Sequence, residues 1–309
     1  MPFKEGALPQ TEQEQNIEAQ TQEKESNVYE KAREDTDVFL KNIEFAKKED
    51  LVEINPREKE LKDEVPVLVI GGWGVSVESQ KEGMEAISNE GRKTTTVRFE
   101  REEKIKQEDE KNIPIAELQK ALTIVDAIEA MGVEKVDATG HSEGGLALAI
   151  AASLYPERFR NIVFVSPAGM MEKDSYLDLI KRFTVDEGVE EFKNMETSQL
   201  KSFYDYLKGV SKYIIKNPLM AHKEIKAMNQ MDIFEMTKHL KEQGIGVGFV
   251  CGANDKVFPI EEVVKYANKQ NLDYFVSTKG NHGSFIFDKQ HALLAEDLLD
   301  NMNKDHEES

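Results

Sequence analysis

The sequence predicts an α/β protein: a mostly parallel central sheet with helices on both faces, plus an inserted helical segment. Short, continuous apolar runs recur from residue 65 onward, which is typical of strands buried on both faces. Segments with helical periodicity alternate with these runs, as a parallel sheet requires. The stretch 171–241 contains no convincing strand and interrupts the alternation.

The elements follow in order along the chain. Pro114 and Gly132 bound the clearest helix, since proline favours a helix start and glycine a C-terminal cap. Right-handed crossovers place the carboxyl ends of parallel strands on one edge, where sites form. The predicted strands are 65–70, 94–99, 133–139, 161–165, 245–250 and 272–276, and the predicted helices are 76–90, 115–131, 146–152 and 288–303.

The inserted segment, residues 171–241, is predicted to be a helical lid. Its apolar helix faces would be exposed unless they covered a surface, and the strand ends are the natural surface to cover. Thr197 is a plausible N-cap, and Asn217 with Pro218 a stop. The apolar positions fall into three helices: Tyr176, Ile180 and Phe183; Leu200, Phe203, Leu207, Val210 and Ile214; and Ile225, Met228 and Phe234.

The rest of the chain divides by composition. Residues 1–27 are acidic, rich in Gln and Glu, and too poor in apolar side chains to offset ordering entropy, so we expect a disordered leader. Residues 28–64 form an N-terminal extension in which 38–40 and 51–54 are both possible strands. Residues 65–170 and 242–303 make up the predicted core, and 304–309 a tail.

Charge and cysteine content exclude several functional classes. The net charge of −19 argues against nucleic acid and anionic membranes as partners. Cys251 is the only cysteine, which fits a reducing compartment. No apolar run approaches the roughly 18 residues that span a bilayer, and no signal core is present. We expect a cytoplasmic protein without a membrane span, and no metal or nucleotide cofactor, because no ligand spacing or glycine fingerprint occurs.

The most informative motif is Gly140-His141-Ser142-Glu143-Gly144. A G-x-S-x-G sequence between a strand and a helix predicts a nucleophile elbow, a sharp turn that presents the serine hydroxyl. Gly140 and Gly144 are needed because side chains there would collide with neighbouring backbone. The motif makes Ser142 the candidate nucleophile.

Two further candidates follow later strands. Asp255 comes after the strand 245–250, and His282 after the strand 272–276. Imidazole, with an unperturbed pKa of roughly 6.5, suits a general base, and a carboxylate orients it. Asp255 is alternatively a helix N-cap or turn residue. The competitors by residue type are Asp273, Asp288, His141, His222, His239, His291 and His306.

A tetrahedral intermediate needs backbone donors. One is expected from the amide of Glu143, the residue after the nucleophile. The other is expected from the loop Gly71–Gly74, which follows the first core strand. Glycines allow that backbone to approach an oxyanion closely.

Taken together, the chain resembles lid-bearing α/β-hydrolase-fold proteins over residues 65–303. The resemblance implies a catalytic triad of Ser142, Asp255 and His282, with an oxyanion hole from the amides of Trp73 and Glu143. Two positions depart from the family pattern. Gly71 stands where many relatives have histidine, and the loop 100–104 is charged where relatives have small residues. A serine nucleophile argues against the dehalogenase and epoxide-hydrolase branches.

The expected function is therefore a cofactor-free serine hydrolase that cleaves a small-molecule ester or related acyl substrate through an acyl-enzyme. Lid-bearing relatives with the same triad also hydrolyse carbon–carbon bonds in β-diketones or peptides at proline, so these reactions stay open. A non-catalytic binding protein is a further alternative, although the intact Ser, Asp and His set argues against it. The sequence leaves the oligomeric state undetermined.

Overall fold

The computed structural model describes residues 28–38, 43–56, 60–99, 104, 113–171, 176–187, 208, 210, 211, 213–270, 272, 274–283 and 289–308. The chain divides into two compact units, one up to Asn42 and one from Ile43 onward. In the first unit, residues 28–38 form a helix. Val38 is therefore helical rather than part of a strand, while residues 39 and 40 lie outside the described ranges.

The second unit is built on a seven-stranded sheet in the order β1-β3-β2-β4-β5-β6-β7. Only β1 runs antiparallel, against β3; the other pairings are parallel. This confirms the predicted mostly parallel sheet. The strands are β1 (Leu51–Ile54), β2 (Asp63–Ile70), β3 (Arg92–Val97), β4 (Val136–His141), β5 (Phe159–Val165), β6 (Gly246–Gly252) and β7 (Tyr274–Thr278).

Helices cover the sheet. The helix α1, capped by the hydroxyl of Ser76 on the amide of Ser79, packs with α8 over alternate residues of the central strands. Helices α2 and α3 pack together, and α3 also contacts β2 and β4. The helices are α1 (Val77–Asn89), α2 (Ile115–Met131), α3 (Glu143–Leu154), α4 (Tyr176–Lys181, continued as a π-helix to Asp186), α5 (Pro218–Gln230), α6 (Ile233–Glu242), α7 (Ile260–Gln270) and α8 (Lys289–Glu308).

Several boundaries differ from the sequence prediction where polar residues enter an element. Strand β3 begins at Arg92, two residues before the predicted start, because the buried Arg92 guanidinium donates to Asp137 Oδ2 at 2.6 Å. Strand β4 spans 136–141 rather than 133–139. The sheet also starts before Val65, since β1 is a short, half-exposed edge strand without a long apolar run. Helix α8 continues to Glu308 through polar residues, so 304–308 is not a separate tail.

The described parts of the inserted segment are helical. They comprise α4 with its π-helical turn, residues 213–216, α5 and most of α6. The helical stretch 213–216 ends before Asn217, as predicted, and Pro218 is the first residue of α5. Val210 is buried and Ile214 is 37% exposed, whereas Thr197, Leu200, Phe203 and Leu207 lie outside the described residues. No described helix is both long and apolar enough to cross a membrane.

The sheet order itself creates a crevice for a site. From β2 the chain moves to β3 on one side, whereas β4 pairs with β2 on the other side and leads on to β5. The loops leaving β2 and β4 therefore diverge at their carboxyl ends. Such a topological switch point is where open α/β sheets bind ligands.

Candidate active site

Ser142 lies in a strained turn between β4 and α3. Its φ is +54° and its ψ −126°, a conformation that non-glycine residues rarely adopt. The turn is tightly packed, because a Cβ atom added at Gly144 would lie 2.3 Å from the carbonyl oxygen of Gly71, and one at Gly140 would lie 2.8 Å from the Cα of Gly145. The two glycines thus permit a turn that places the Ser142 hydroxyl at the switch point, on the wall of a cavity.

His282 and Asp255 meet Ser142 at the carboxyl edge of the sheet. The Nε2 atom of His282 is 2.9 Å from Ser142 Oγ, and its Nδ1 atom is 2.9 Å from Asp255 Oδ2. All three side chains are buried. With Nδ1–H donating to the carboxylate, neutral His282 presents an unprotonated Nε2 to the serine hydroxyl.

Asp255 combines this contact with a turn. Its Oδ1 atom accepts from the amides of Val257 and Phe258, each at 2.8 Å. Helix α7 begins only at Ile260, so Asp255 stabilises the turn before the helix and is not its N-cap. These two amide bonds fix the carboxylate and leave Oδ2 to face His282.

Four of the five competing histidines have described side chains; the side chain of His306 and residues Asp273 and Asp288 lie outside the described residues. His222, exposed on α5, lines the cavity that contains Ser142, while His239 and His291 are buried on α6 and α8. His141 instead supports His282: its Nε2 donates to the His282 carbonyl oxygen at 2.7 Å. Burial and the neighbouring His282 lower the pKa of His141 to about 3, which keeps it neutral.

Glu187 is a site residue that the sequence analysis missed. Its Oε1 atom accepts from the backbone amide of His282 at 2.6 Å, and its Oε2 atom accepts from the amide of Lys256 at 2.9 Å. Burial raises the pKa of Glu187. The residue ends the π-helical turn of the inserted segment, and no motif or periodicity in the sequence distinguishes it from the many exposed glutamates.

The loop after β2 lies directly against the nucleophile. A Cβ atom added at Gly72 would be 2.8 Å from Ser142 Cβ, so only glycine fits there. Trp73 follows in the same loop, and its side chain is buried. Trp73, in the loop after β2, and Glu143, the first residue of α3, therefore flank Ser142.

Two cavities meet at Trp73, which lines both. The first, of about 240 Å³, contains Ser142 and is mostly apolar. The second, of about 260 Å³, is more polar and is lined by Lys120, Glu143 and Glu224. The apolar cavity is walled mainly by the inserted segment, with Leu179, Ile180, Phe183, Ile225 and Met228 opposite Phe258.

The arrangement is suited to acyl transfer. The serine hydroxyl is hydrogen-bonded to a neutral imidazole, and the imidazole is hydrogen-bonded to a carboxylate. This geometry activates serine as a nucleophile. Among the residues that the structure describes, no group of three or more His, Cys, Asp or Glu side chains is placed to hold a metal ion.

Comparison with known proteins identifies the fold. A family model described as the alpha/beta hydrolase fold matches residues 65–192. The chain thus has the α/β-hydrolase fold. A search of curated protein sequences finds no significant match.

Solved structures share the fold at low identity. A carboxylesterase structure from the thaumarchaeon Nitrososphaera gargenis is 13% identical, with a TM-score of 0.59, over 82% of this chain and 95% of that one. A bromoperoxidase from Bacillus anthracis is 16% identical, with a TM-score of 0.56, over 84% and 99%. A meta-cleavage product hydrolase from Pseudomonas fluorescens IP01 is 14% identical, with a TM-score of 0.58, over 81% and 93%. At these identities the likeness extends to the fold alone.

Proposed function

We propose that the protein is a serine hydrolase that cleaves an ester or related small-molecule acyl substrate through an acyl-enzyme on Ser142. The observation that supports this most strongly is the pair of 2.9 Å contacts that links Ser142 Oγ through His282 to Asp255. The strained turn at Ser142 and its position at the switch point add support. The single cysteine fits our further proposal of a cytoplasmic enzyme.

The proposed reaction follows from these contacts. Ser142 Oγ attacks the substrate carbonyl carbon while its proton passes to His282 Nε2, and Asp255 stabilises the imidazolium that forms. The amides of Trp73 and Glu143 donate to the resulting oxyanion. His282 then protonates the leaving alcohol as the carbon–oxygen bond breaks. Water, deprotonated by His282, hydrolyses the acyl-enzyme and regenerates Ser142.

The apolar cavity beside Ser142 favours an apolar acyl chain as the substrate's acid part. We propose that the inserted segment acts as a lid that selects this chain and excludes water from the site. The test is kcat/KM on p-nitrophenyl esters of rising acyl length, beside a β-diketone and a prolyl amide. Ester turnover that is lost in Ser142→Ala would support the proposal. Turnover of only the diketone or only the amide would instead support the corresponding alternative reaction. If none of the substrates is turned over, a binding protein is favoured.

Removing part of the wall of the apolar cavity should change the preferred length of the substrate's acyl chain. Met228 lines the apolar cavity, and Met228→Ala removes three side-chain heavy atoms. We expect the preferred acyl chain to lengthen, with the ratio of long-chain to short-chain kcat/KM rising about 3- to 10-fold, since one methylene is worth about 1 kcal/mol. Lys226→Ala, exposed on the same helix, is the control. An unchanged ratio in Met228→Ala would contradict a selecting role for this wall.

Activity should rise with pH across the range in which imidazole titrates. Protonated His282 has no lone pair at Nε2 to accept the serine proton, so turnover is lost on the acid side. The raised pKa of Glu187 acts in the same direction, because this carboxyl takes up a proton sooner than an ordinary glutamate as pH falls. We expect kcat/KM to increase from about pH 5 to pH 8. A flat profile over this range would argue against His282 as the base.

Removing Glu187 should disorder both loops that bear the acid and the base. Glu187→Ala leaves the amides of His282 and Lys256 without their acceptor, and a displacement of about 1 Å at the site lowers turnover on the order of 100-fold. We expect kcat to fall between about 10- and 100-fold, measured on the best ester. Asp186→Asn, a partly exposed neighbour, should be near wild type. Equal activity in Glu187→Ala and Asp186→Asn would show that the two hydrogen bonds accepted by Glu187 are unimportant for turnover.

A further inference from the structure

The side chains of Trp73 and Glu143 end in one buried polar network. Glu143 forms an ion pair with Lys120 of α2. The indole Nε1 of Trp73 donates to Glu224 Oε2 at 2.7 Å, and the other carboxylate oxygen of Glu224 is 2.9 Å from Lys120 Nζ. Both residues whose amides we propose for the oxyanion hole are thus tied through their side chains to the same pair, Lys120 and Glu224.

Because this network is buried, its charged groups depend on one another. Glu143 and Glu224 are almost completely buried, and Glu117, also buried, lies 3.5 Å from Lys120 Nζ. Burial opposes the charge on Lys120, but the three carboxyls outweigh it and raise the Lys120 pKa well above its usual range. Burial also disfavours the charged forms of Glu143 and Glu117, and this raises the pKa of both carboxyls. Removal of one member would leave its partner with an uncompensated buried charge. Each member therefore holds the others in place.

Glu224 connects this network to the inserted segment. It lies on α5, and its Oε2 atom also accepts from the hydroxyl of Tyr213 at 2.7 Å. Val210, Tyr213 and Ala221 of the segment pack around Trp73 in one apolar cluster, and the Trp73 and Tyr213 rings meet edge to face at 5.9 Å. The orientation of Trp73 therefore depends on the position of α5 relative to the loop 71–74.

We propose that Glu224 is a positioning residue that fixes Trp73, and with it the loop 71–74, in the geometry that stabilises the oxyanion. Because Glu224 belongs to the inserted segment, oxyanion stabilisation becomes conditional on the seating of that segment. Glu224 acts through Trp73 and does not itself touch the reacting atoms. This inference rests on the proposed function, and it assigns to the segment a role in the reaction step beyond shaping the acyl cavity.

The substitution that tests it is Glu224→Gln. Both carboxylate oxygens of Glu224 accept from donors, Oε1 from Lys120 and Oε2 from Trp73 and Tyr213. Glutamine has one oxygen, so its NH₂ group must face a donor on one side or the other. We expect kcat on the best ester to fall at least about 10-fold with little change in KM, since a misplaced donor weakens transition-state binding.

Two readouts separate positioning from general destabilisation. A trifluoromethyl ketone forms a tetrahedral oxyanion adduct with an active serine, and its affinity should weaken in parallel with kcat, by at least about 10-fold. Trp73 is the only tryptophan, so its emission should shift in Glu224→Gln. The matched control is Glu235→Gln, the same change at an exposed position, which should leave all three measurements unchanged. Wild-type kcat and ketone affinity in Glu224→Gln would overturn the inference.

If Glu224→Gln fails to fold, Trp73→Phe tests whether the hydrogen bond from Trp73 to Glu224 positions the loop 71–74. Phenylalanine keeps an aromatic ring and the backbone amide but lacks the indole N–H, so kcat and ketone affinity should fall as predicted for Glu224→Gln. Unchanged values would overturn the inference. Failure of the proposed function is distinguishable, because then the wild-type protein would hydrolyse no ester, or Ser142→Ala would remain active.

Discussion

Replacement of Ser142 by alanine is expected to lower kcat on the best ester by about 10⁴- to 10⁶-fold, the range found when a serine nucleophile is removed. The hydroxyl oxygen is the atom that forms the acyl bond, and it lies 2.9 Å from His282 Nε2. The amides of Trp73 and Glu143 would remain, so a small residual rate above that in water is expected. The measurement is turnover per chain, with the enzyme concentration taken from absorbance because a variant without the nucleophile cannot be titrated at its active site.

Ser153→Ala is the matched control, because Ser153 is buried on the same helix, α3. It should keep wild-type kcat, which would show that the loss in Ser142→Ala is chemical rather than structural. Thermal unfolding of both variants should be close to that of the wild type. A Ser142→Ala enzyme within about 10-fold of wild-type kcat would refute nucleophilic catalysis at this residue.

Asp255→Asn is expected to reduce kcat on the order of 10⁴-fold while preserving the fold. Asparagine can keep its oxygen toward the amides of Val257 and Phe258, where Asp255 Oδ1 lies now. Its NH₂ group then faces His282 Nδ1, which must become the acceptor. The imidazole proton moves to Nε2, the atom that faces Ser142 Oγ, and His282 can no longer take the serine proton.

The control for this change is Asp297→Asn, an exposed carboxylate on α8, which should be near wild type. Ring nitrogen chemical shifts of His282 should report the exchanged tautomer in Asp255→Asn. If that variant kept both the wild-type tautomer and more than a tenth of wild-type kcat, the carboxylate would have no orienting role.

Much of the fold was predictable because local patterns and tertiary requirements agree. Buried parallel strands give continuous apolar runs, and Pro114 and Gly132 mark the ends of α2 at the predicted residues. The turn at Ser142 was predictable for a similar reason, since close backbone approaches leave only glycine at positions 140 and 144. Strand-end placement then brought Asp255 and His282 forward as candidates.

What could not be predicted depends on long-range pairing of charged side chains. Arg92 is fully buried inside β3 because Asp137 lies on β4, the strand on the far side of β2, and nothing near Arg92 in the sequence reveals that partner. Glu187 and Glu224 are ordinary helical glutamates by sequence, yet folding buries both against residues about 70 to 150 positions away. In a chain with 59 acidic residues, composition offers no means of singling these two out.

Covalent trapping tests whether Ser142 is a nucleophile activated by His282. The full-length protein is treated with a fluorophosphonate and digested, and the modified peptide is identified by mass spectrometry, in parallel with Ser142→Ala and His282→Ala. We expect one adduct per chain, on Ser142, absent in Ser142→Ala and formed far more slowly in His282→Ala. Absence of an adduct on Ser142 in the wild type, or equal labelling of Ser142→Ala, would contradict this role of Ser142.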